Sequence, residues 1–388
     1  MNLSQSFTLR LLVTLLTSLI FMAEASSPAA IHEFAIPYAE PPPCPSQTSH
    51  GTHPESTHEI TYDQGAPTPF HLWVTGQNDD AIVRISTSGA INIYAVPPCS
   101  GPHGITFDRA GRLWVSLEFA GKIVQLQEQA GRLAETKAFD VRLDCAACDE
   151  PINTHPHGLA VGPDGETLWF TGKATGTVGK ISPDGTIKTF GLPTVGSMPI
   201  YIRAGPDGNM WFTELVGNAV GRVTPAGEVT EFPIPTPNSR PIEIVPEPDG
   251  QAMWFTEEAG NKIGRIGMDG TITEFPVPKM HDNVILAGLA FDADGNLWVQ
   301  QYTDVGHLHA SLGRADLTVD TGSDYLVRVN RSSLISGAAA SAFTFYEVPT
   351  RETVMHRVIL GPDGNMWFTE LRADKVGRLS ISTASKEE

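Results

Sequence analysis

Imidazoles and carboxylates recur at matching places in this sequence. Pro102-His103-Gly104 precedes a strand-like stretch, Trp114-Val115-Ser116-Leu117-Glu118, and Pro156-His157-Gly158 precedes Trp169-Phe170-Thr171-Gly172. His58 and His356 stand at the corresponding places ahead of Trp73 and Trp367. An imidazole is a competent base near neutral pH, and a carboxylate beside it can hold a metal ion or a proton. Such groups do chemistry only if the chain brings them to one place.

The positioning element is a repeat. GPDGNMWFTEL occurs letter for letter at 205–215 and at 361–371, and weaker copies surround Trp73, Trp114, Trp169, Trp254 and Trp298. Each of the seven tryptophans therefore marks one repeat. Their spacings are 41, 55, 42, 43, 44 and 69 residues, against ~40 to 50 for a four-stranded propeller blade. In the copy beginning at Tyr201, YIRA, MWFTE, AVGRV and EVTEFPI read as four strands, with GPDGN as a tight turn. Two long intervals place insertions, expected as loops, at 131–155 and at 302–324, the second carrying His307 and His309.

The fold expected is all-β, a seven-bladed β-propeller of four-stranded blades. The last repeat lacks a fourth strand, and Ile31 to Pro37 matches the fourth-strand motif of 273–278. The N-terminal strand should thus complete the last blade and close the ring, removing the free edges of an open array. An open β-solenoid would need no such exchange.

In such a ring two sets of positions face one mouth. Just ahead of the first strands stand His58, His103, His157, Ile200, Ile242, Ala287 and His356; at the ends of the tryptophan strands stand Gly76, Glu118, Gly172, Glu214, Glu257, Gln301 and Glu370. With the ring closed, four histidines come from adjacent blades and the apolar residues fill the other arc. A polar wall facing an apolar one suits a small molecule. The plainer alternative is that each Pro-His-Gly is turn chemistry, its imidazole capping a carbonyl.

Composition narrows the partners. The 388 residues carry 26 Lys plus Arg against 44 Asp plus Glu, a net charge of -18 that opposes nucleic acid and anionic membrane surfaces. Arg10, an apolar run over 11–23 and Ala23-Glu24-Ala25 read as a signal peptide over 1–25, too short an apolar run to span a bilayer, which takes ~20 residues. A single propeller domain over 26–380 and a polar tail over 381–388 follow, and a secreted monomer is expected. Cys44, Cys99, Cys145 and Cys148 suit two disulfides, with three pairings open. Cys145-Ala-Ala-Cys148 reads as a loop disulfide rather than half a zinc site, since no second CxxC completes one. Asn330-Arg331-Ser332 is a glycosylation acceptor motif.

The ring of WFTE, NKIGRI and ITEFPIPTP elements, closest over 257–266 and 232–241, resembles the virginiamycin B lyase (streptogramin lyase) family over nearly all of the mature chain. That resemblance implies β-elimination that opens a cyclic depsipeptide at its ester, with a histidine base and a magnesium ion. Carried over, it makes His103 the base, Glu118 a metal ligand and His58 the second histidine; His157 and His356 would join the substrate-binding face. The family's other metal-binding Glu falls on Gly101, so Glu370, Glu214 or a loop residue would have to substitute. Alternatives on the same scaffold are a metal-dependent lactone hydrolase and a propeller that only binds a ligand or partner.

Overall fold

The computed structural model describes residues 31–39, 44, 55–63, 70–304 and 322–381. The leader, the tail, His307 and His309 lie outside these. Seven four-stranded antiparallel sheets form the ring, and in six of them the strands follow one another in chain order. Blades 1 to 6 span 57–95, 102–140, 156–191, 199–233, 241–276 and 284–347. The seventh is built from both ends of the chain: strand Ile31–Ala35 pairs antiparallel with Lys375–Leu379, from Ile31 opposite Leu379 to Ala35 opposite Lys375. The closure read from the sequence is the one observed.

The repeat motif explains the blade. In GPDGN turns the Asp carboxylate accepts the indole N–H of the following tryptophan, Asp207 from Trp211 at 3.0 Å and Asp363 from Trp367 at 2.9 Å. This satisfies the one polar atom of a side chain that is otherwise buried, as burial requires. An aromatic residue of the fourth strand stacks on the same ring: Phe232 on Trp211, Phe275 on Trp254 and Phe34 on Trp367, with centroids 5.5–5.6 Å apart. Gly221 on the third strand faces Phe212, where an added Cβ would lie 2.1 Å from the ring. The glycine of each VGR element is thus a slot for the neighbouring aromatic.

Blades are joined near the axis by the penultimate residue of the tryptophan strand. Thr171 Oγ1 accepts the amide of Gly158 in its own blade and donates to the carbonyl of Ile200 in the next. Thr256 does the same for Glu243 and Ala287, and Thr369 for Arg357 and His58, carrying the belt across the ring closure. The belt fixes the backbone on which the axial residues stand.

The first insertion is only partly a loop. Residues 132–140 are the fourth strand of blade 2, lengthened into a long hairpin with Lys122–Gln129. Its two-residue turn, Ala130-Gly131, has positive φ at both positions, the geometry that matches strand twist. Only 141–155 loops out, with a Leu143–Ile152 bridge at its base. Cys44 pairs with Cys99 and Cys145 with Cys148. Among the described residues no helix is long and apolar enough to cross a membrane.

Candidate functional site

Every first strand carries a two-residue irregularity near its start. In blade 1, Thr57 pairs with Gly76 and the next pair is Ile60 with Val74, so His58 and Glu59 stand out of the ladder. The same break falls at 103–104, 157–158, 200–201, 242–243, 287–288 and 356–357. The histidines are therefore bulge residues inside the strands, not residues ahead of them. A bulge re-aims side chains that a regular ladder would send to alternate faces, and here it presents two residues per blade at the axial end, the second of them a glycine in blades 2, 3 and 6.

The structure brings all four sequence-predicted histidines together. Ring centroids are 5.1 Å apart for His58 and His103, 4.9 Å for His58 and His356, and 3.7 Å for His103 and His157. His58 Nδ1 donates to the Ser56 carbonyl at 2.9 Å and His157 Nδ1 to the Ile200 carbonyl at 3.0 Å. Because a carbonyl can only accept, these rings carry the proton on Nδ1 and leave Nε2 with its lone pair. His103 is 2% exposed and its Nδ1 has no hydrogen-bond partner. Burial lowers the basicity of all four, that of His157 to about 3, since a charged imidazolium loses its hydration and faces the Lys173 ammonium. They are neutral at physiological pH.

Glu118 joins them from an unexpected direction. In register, the partner of Pro102 is Leu117, which matches Gly76, Gly172, Glu214, Glu257, Gln301 and Glu370. Glu118 lies one residue further on, and its counterparts are Gln77 and Lys173. A one-residue step reverses the face on which a side chain lies. Gln77 Nε2 accordingly donates to Glu118 Oε2 at 2.7 Å and Lys173 Nζ to Oε1 at 3.1 Å, with His155 Nδ1 at 3.6 Å. Burial would raise this carboxyl, but His155 and Lys173 outweigh it and hold it at about 2. Glu118 is ionised and already paired.

Glu370 does not reach this cluster. Its carboxylate is buried in the last blade, with Glu33 and Lys375 as its charged neighbours and no hydrogen bond of its own. Glu214 is placed alike in blade 4, its carboxylate packed against Gly217 and near Glu231. Gly101 cannot simply be replaced by the missing carboxylate. Its φ is +59°, its Cβ would lie 2.2 Å from the Phe119 ring, and its amide, with those of Cys99 and Ser100, binds the Asp80 carboxylate.

These observations test the magnesium that the resemblance implies. Magnesium prefers oxygen ligands, whereas this site offers imidazole nitrogens and one carboxylate held by an ammonium and an amide. The residues present do not fit it.

Four of the second bulge residues, Glu59, Tyr201, Glu243 and Arg357, form a floor beneath the histidines. Glu59 of blade 1 accepts from Arg357 Nε of blade 7 at 2.8 Å and from the Tyr201 hydroxyl of blade 4 at 3.1 Å. Arg357 also lies 3.3 Å from Glu243 of blade 5, and its guanidinium covers the Tyr201 ring at 3.7 Å. His356 Nδ1 rests 3.5 Å from Glu59. The signal that could have found this floor was Glu59, Glu243 and Arg357 themselves, charges set in otherwise apolar first strands.

Fold and site together define a closed seven-bladed propeller with one chemically equipped axial mouth. The chain belongs to the virginiamycin B lyase family, whose model matches residues 72–323. A solved streptogramin B lyase is similar at 26% identity, with a TM-score of 0.67 over 90% of this chain and 97% of that one. Virginiamycin B lyase from Staphylococcus aureus gives 27% identity and a TM-score of 0.67 over 90% and 99%. A catalytically inactive histidine-to-alanine variant of that enzyme, solved with quinupristin, gives 26% and 0.68 over the same shares. No curated protein matches the sequence.

Proposed function

We propose that this protein is a secreted, lyase-like propeller that opens a lactone or cyclic depsipeptide ester by β-elimination, with His103 as general base. The observation that carries the reading is His103 itself. It is a neutral, buried imidazole with an unpartnered nitrogen, placed beside an ionised Glu118 and the ammonium of Lys173. The base takes the proton α to a carbonyl, the C–H electron pair becomes the new double bond, and the β-carbon–oxygen bond breaks to release a carboxylate. Negative charge develops on the carbonyl oxygen, and this reading gives its stabilisation to Lys173 and Gln77, the donors that hold Glu118 beside the base. The reading gives that charge stabilisation to Lys173 rather than to magnesium. His58, His157 and His356 complete the polar wall, and Ile200, Ile242 and Ala287 occupy the corresponding bulges of the opposite arc.

Quinupristin, the ligand of the inactive Staphylococcus aureus variant, and simple lactones are the substrates to try first. Elimination yields a linear product of unchanged mass carrying a new double bond, and no oxygen from labelled water. His103→Ala should lose at least ~100-fold in kcat/KM, the range general-base catalysis supplies. Undiminished activity in that variant would remove His103 from the mechanism, and incorporation of labelled oxygen would make the protein a hydrolase. Export is supported by the leader pattern and by the Cys44–Cys99 and Cys145–Cys148 disulfides; a mature N-terminus at Ser26 in the secreted protein is the expected result.

A further inference from the structure

The poor fit to magnesium points to a different ion. His58, His103 and His356 each offer a ligand atom within 4.8 Å of the other two, and they come from three consecutive blades of the ring. Side chains from blades 7, 1 and 2 reach this arrangement because the ring is closed by the N-terminal strand. We propose that these three histidines form a binding site for a divalent transition-metal ion of the zinc type, bound through imidazole nitrogens at the histidine mouth of the channel.

Imidazole is a good ligand for zinc, copper and nickel and a poor one for magnesium or calcium. Three histidines with an open fourth position are a known arrangement for zinc. The surroundings carry the usual second layer of such a site, in which the other ring nitrogen is anchored so that the ligating one is aimed. His58 Nδ1 is tied to the Ser56 carbonyl, and His356 Nδ1 faces the Glu59 carboxylate at 3.5 Å. Glu59 is held in turn by Arg357 and Tyr201. His103 supplies a buried nitrogen with no hydrogen-bond partner among the described residues. Access is through His356, whose side chain is 21% exposed while that of Glu59 behind it is 6% exposed.

Occupancy has a consequence for the proposed reaction, and this consequence alone rests on the lyase reading. An ion on His103 takes the lone pair that a base needs, so the metal-loaded and base-competent states exclude each other. Zinc should then inhibit elimination by lowering kcat.

Cobalt(II) is the probe, because four-coordinate cobalt has an intense visible absorption that octahedral, aqueous cobalt lacks. With the full mature chain carrying no polyhistidine tag, we expect one cobalt per chain with the four-coordinate spectrum, displaced by zinc and not by excess magnesium. His58→Gln and His356→Gln should each weaken binding at least ~10-fold, while Glu370→Gln leaves it unchanged. Near-ultraviolet circular dichroism establishes that each variant retains its tertiary structure, and if one does not fold the other gives the same reading. An absent spectrum in the wild type, binding indifferent to both histidine variants, or binding lost instead in His307→Gln/His309→Gln would overturn the site. Binding without inhibition would leave the metal site standing and count against His103 as the base.

Discussion

At the scale of the residue, the pairing of Glu118 with Lys173 decides what the site can do. A carboxylate 3% exposed would be costly without its cation. Replacing Lys173 by Met should therefore raise the affinity of Glu118 for a proton and cost stability. Glu118→Gln should relieve much of that cost in the double variant. A double-mutant cycle by chemical denaturation should give a coupling of about 1–3 kcal/mol, and simple additivity would show that the two side chains do not depend on each other. The pair was half legible beforehand. Glu118 stood out because it follows a tryptophan strand, but Lys173 sits in a Thr-Gly-Lys-Ala-Thr-Gly stretch that reads as a turn. Its role depends on a one-residue offset that only strand register reveals. That same offset separates Glu118 from Glu370, although both follow Trp in a similar string.

At the scale of the element, the blade was almost fully legible because the tryptophan, its Asp-bearing turn and its stacked aromatic recur in every copy. The bulge was not, since two unpaired residues leave no trace in an alternating pattern. For that reason Glu59 and Arg357 do not show in the pattern, and the histidines read as standing ahead of the strands rather than within them. The closing strand was legible as a motif, and its energetics can be tested. Ile31 and Ile36 are buried against the last and first blades, Glu33 binds Lys375 at 2.7 Å, and it also accepts from the backbone and hydroxyl of Thr350. Deleting residues 1–37 should cost roughly 3–6 kcal/mol, since two buried aliphatic side chains contribute about 1.5–3 kcal/mol each. It should also promote self-association through the bared edge at Lys375–Leu379. Thermal unfolding and sedimentation would read both, and an unchanged, monodisperse truncated chain would deny the strand its closing role.

At the scale of the whole molecule, the repeat has left the same buried acid in three blades, and this sets how stability responds to pH. Glu214, Glu257 and Glu370 end their tryptophan strands fully buried, without hydrogen bonds of good geometry. Burial, reinforced by Glu231, Glu274 and Glu33 on the fourth strand of the same blade, raises them to about 7, about 8 and about 9. An unfolded glutamate titrates near its ordinary value of about 4.3. Between that value and the folded one, the native chain holds protons that the unfolded chain has released. The stability this confers is complete below the unfolded value and is lost as pH rises through the folded ones. Each group costs up to about 1.4 kcal/mol per pH unit across its window. The buried histidines act with the opposite sign on the acid side, where the unfolded chain binds protons that the folded one refuses. The histidines offset much of this loss below about pH 6.5, so the net fall of stability should show on the alkaline side and end near pH 9, well before lysine titrates. The triple variant Glu214→Gln, Glu257→Gln and Glu370→Gln should flatten that limb in urea unfolding followed at a series of pH values, and should steepen the rise of stability on the acid side, where the histidines then act unopposed. An alkaline limb that persists undiminished in the triple variant would mean that these carboxylates are ionised in the folded protein and that water reaches them.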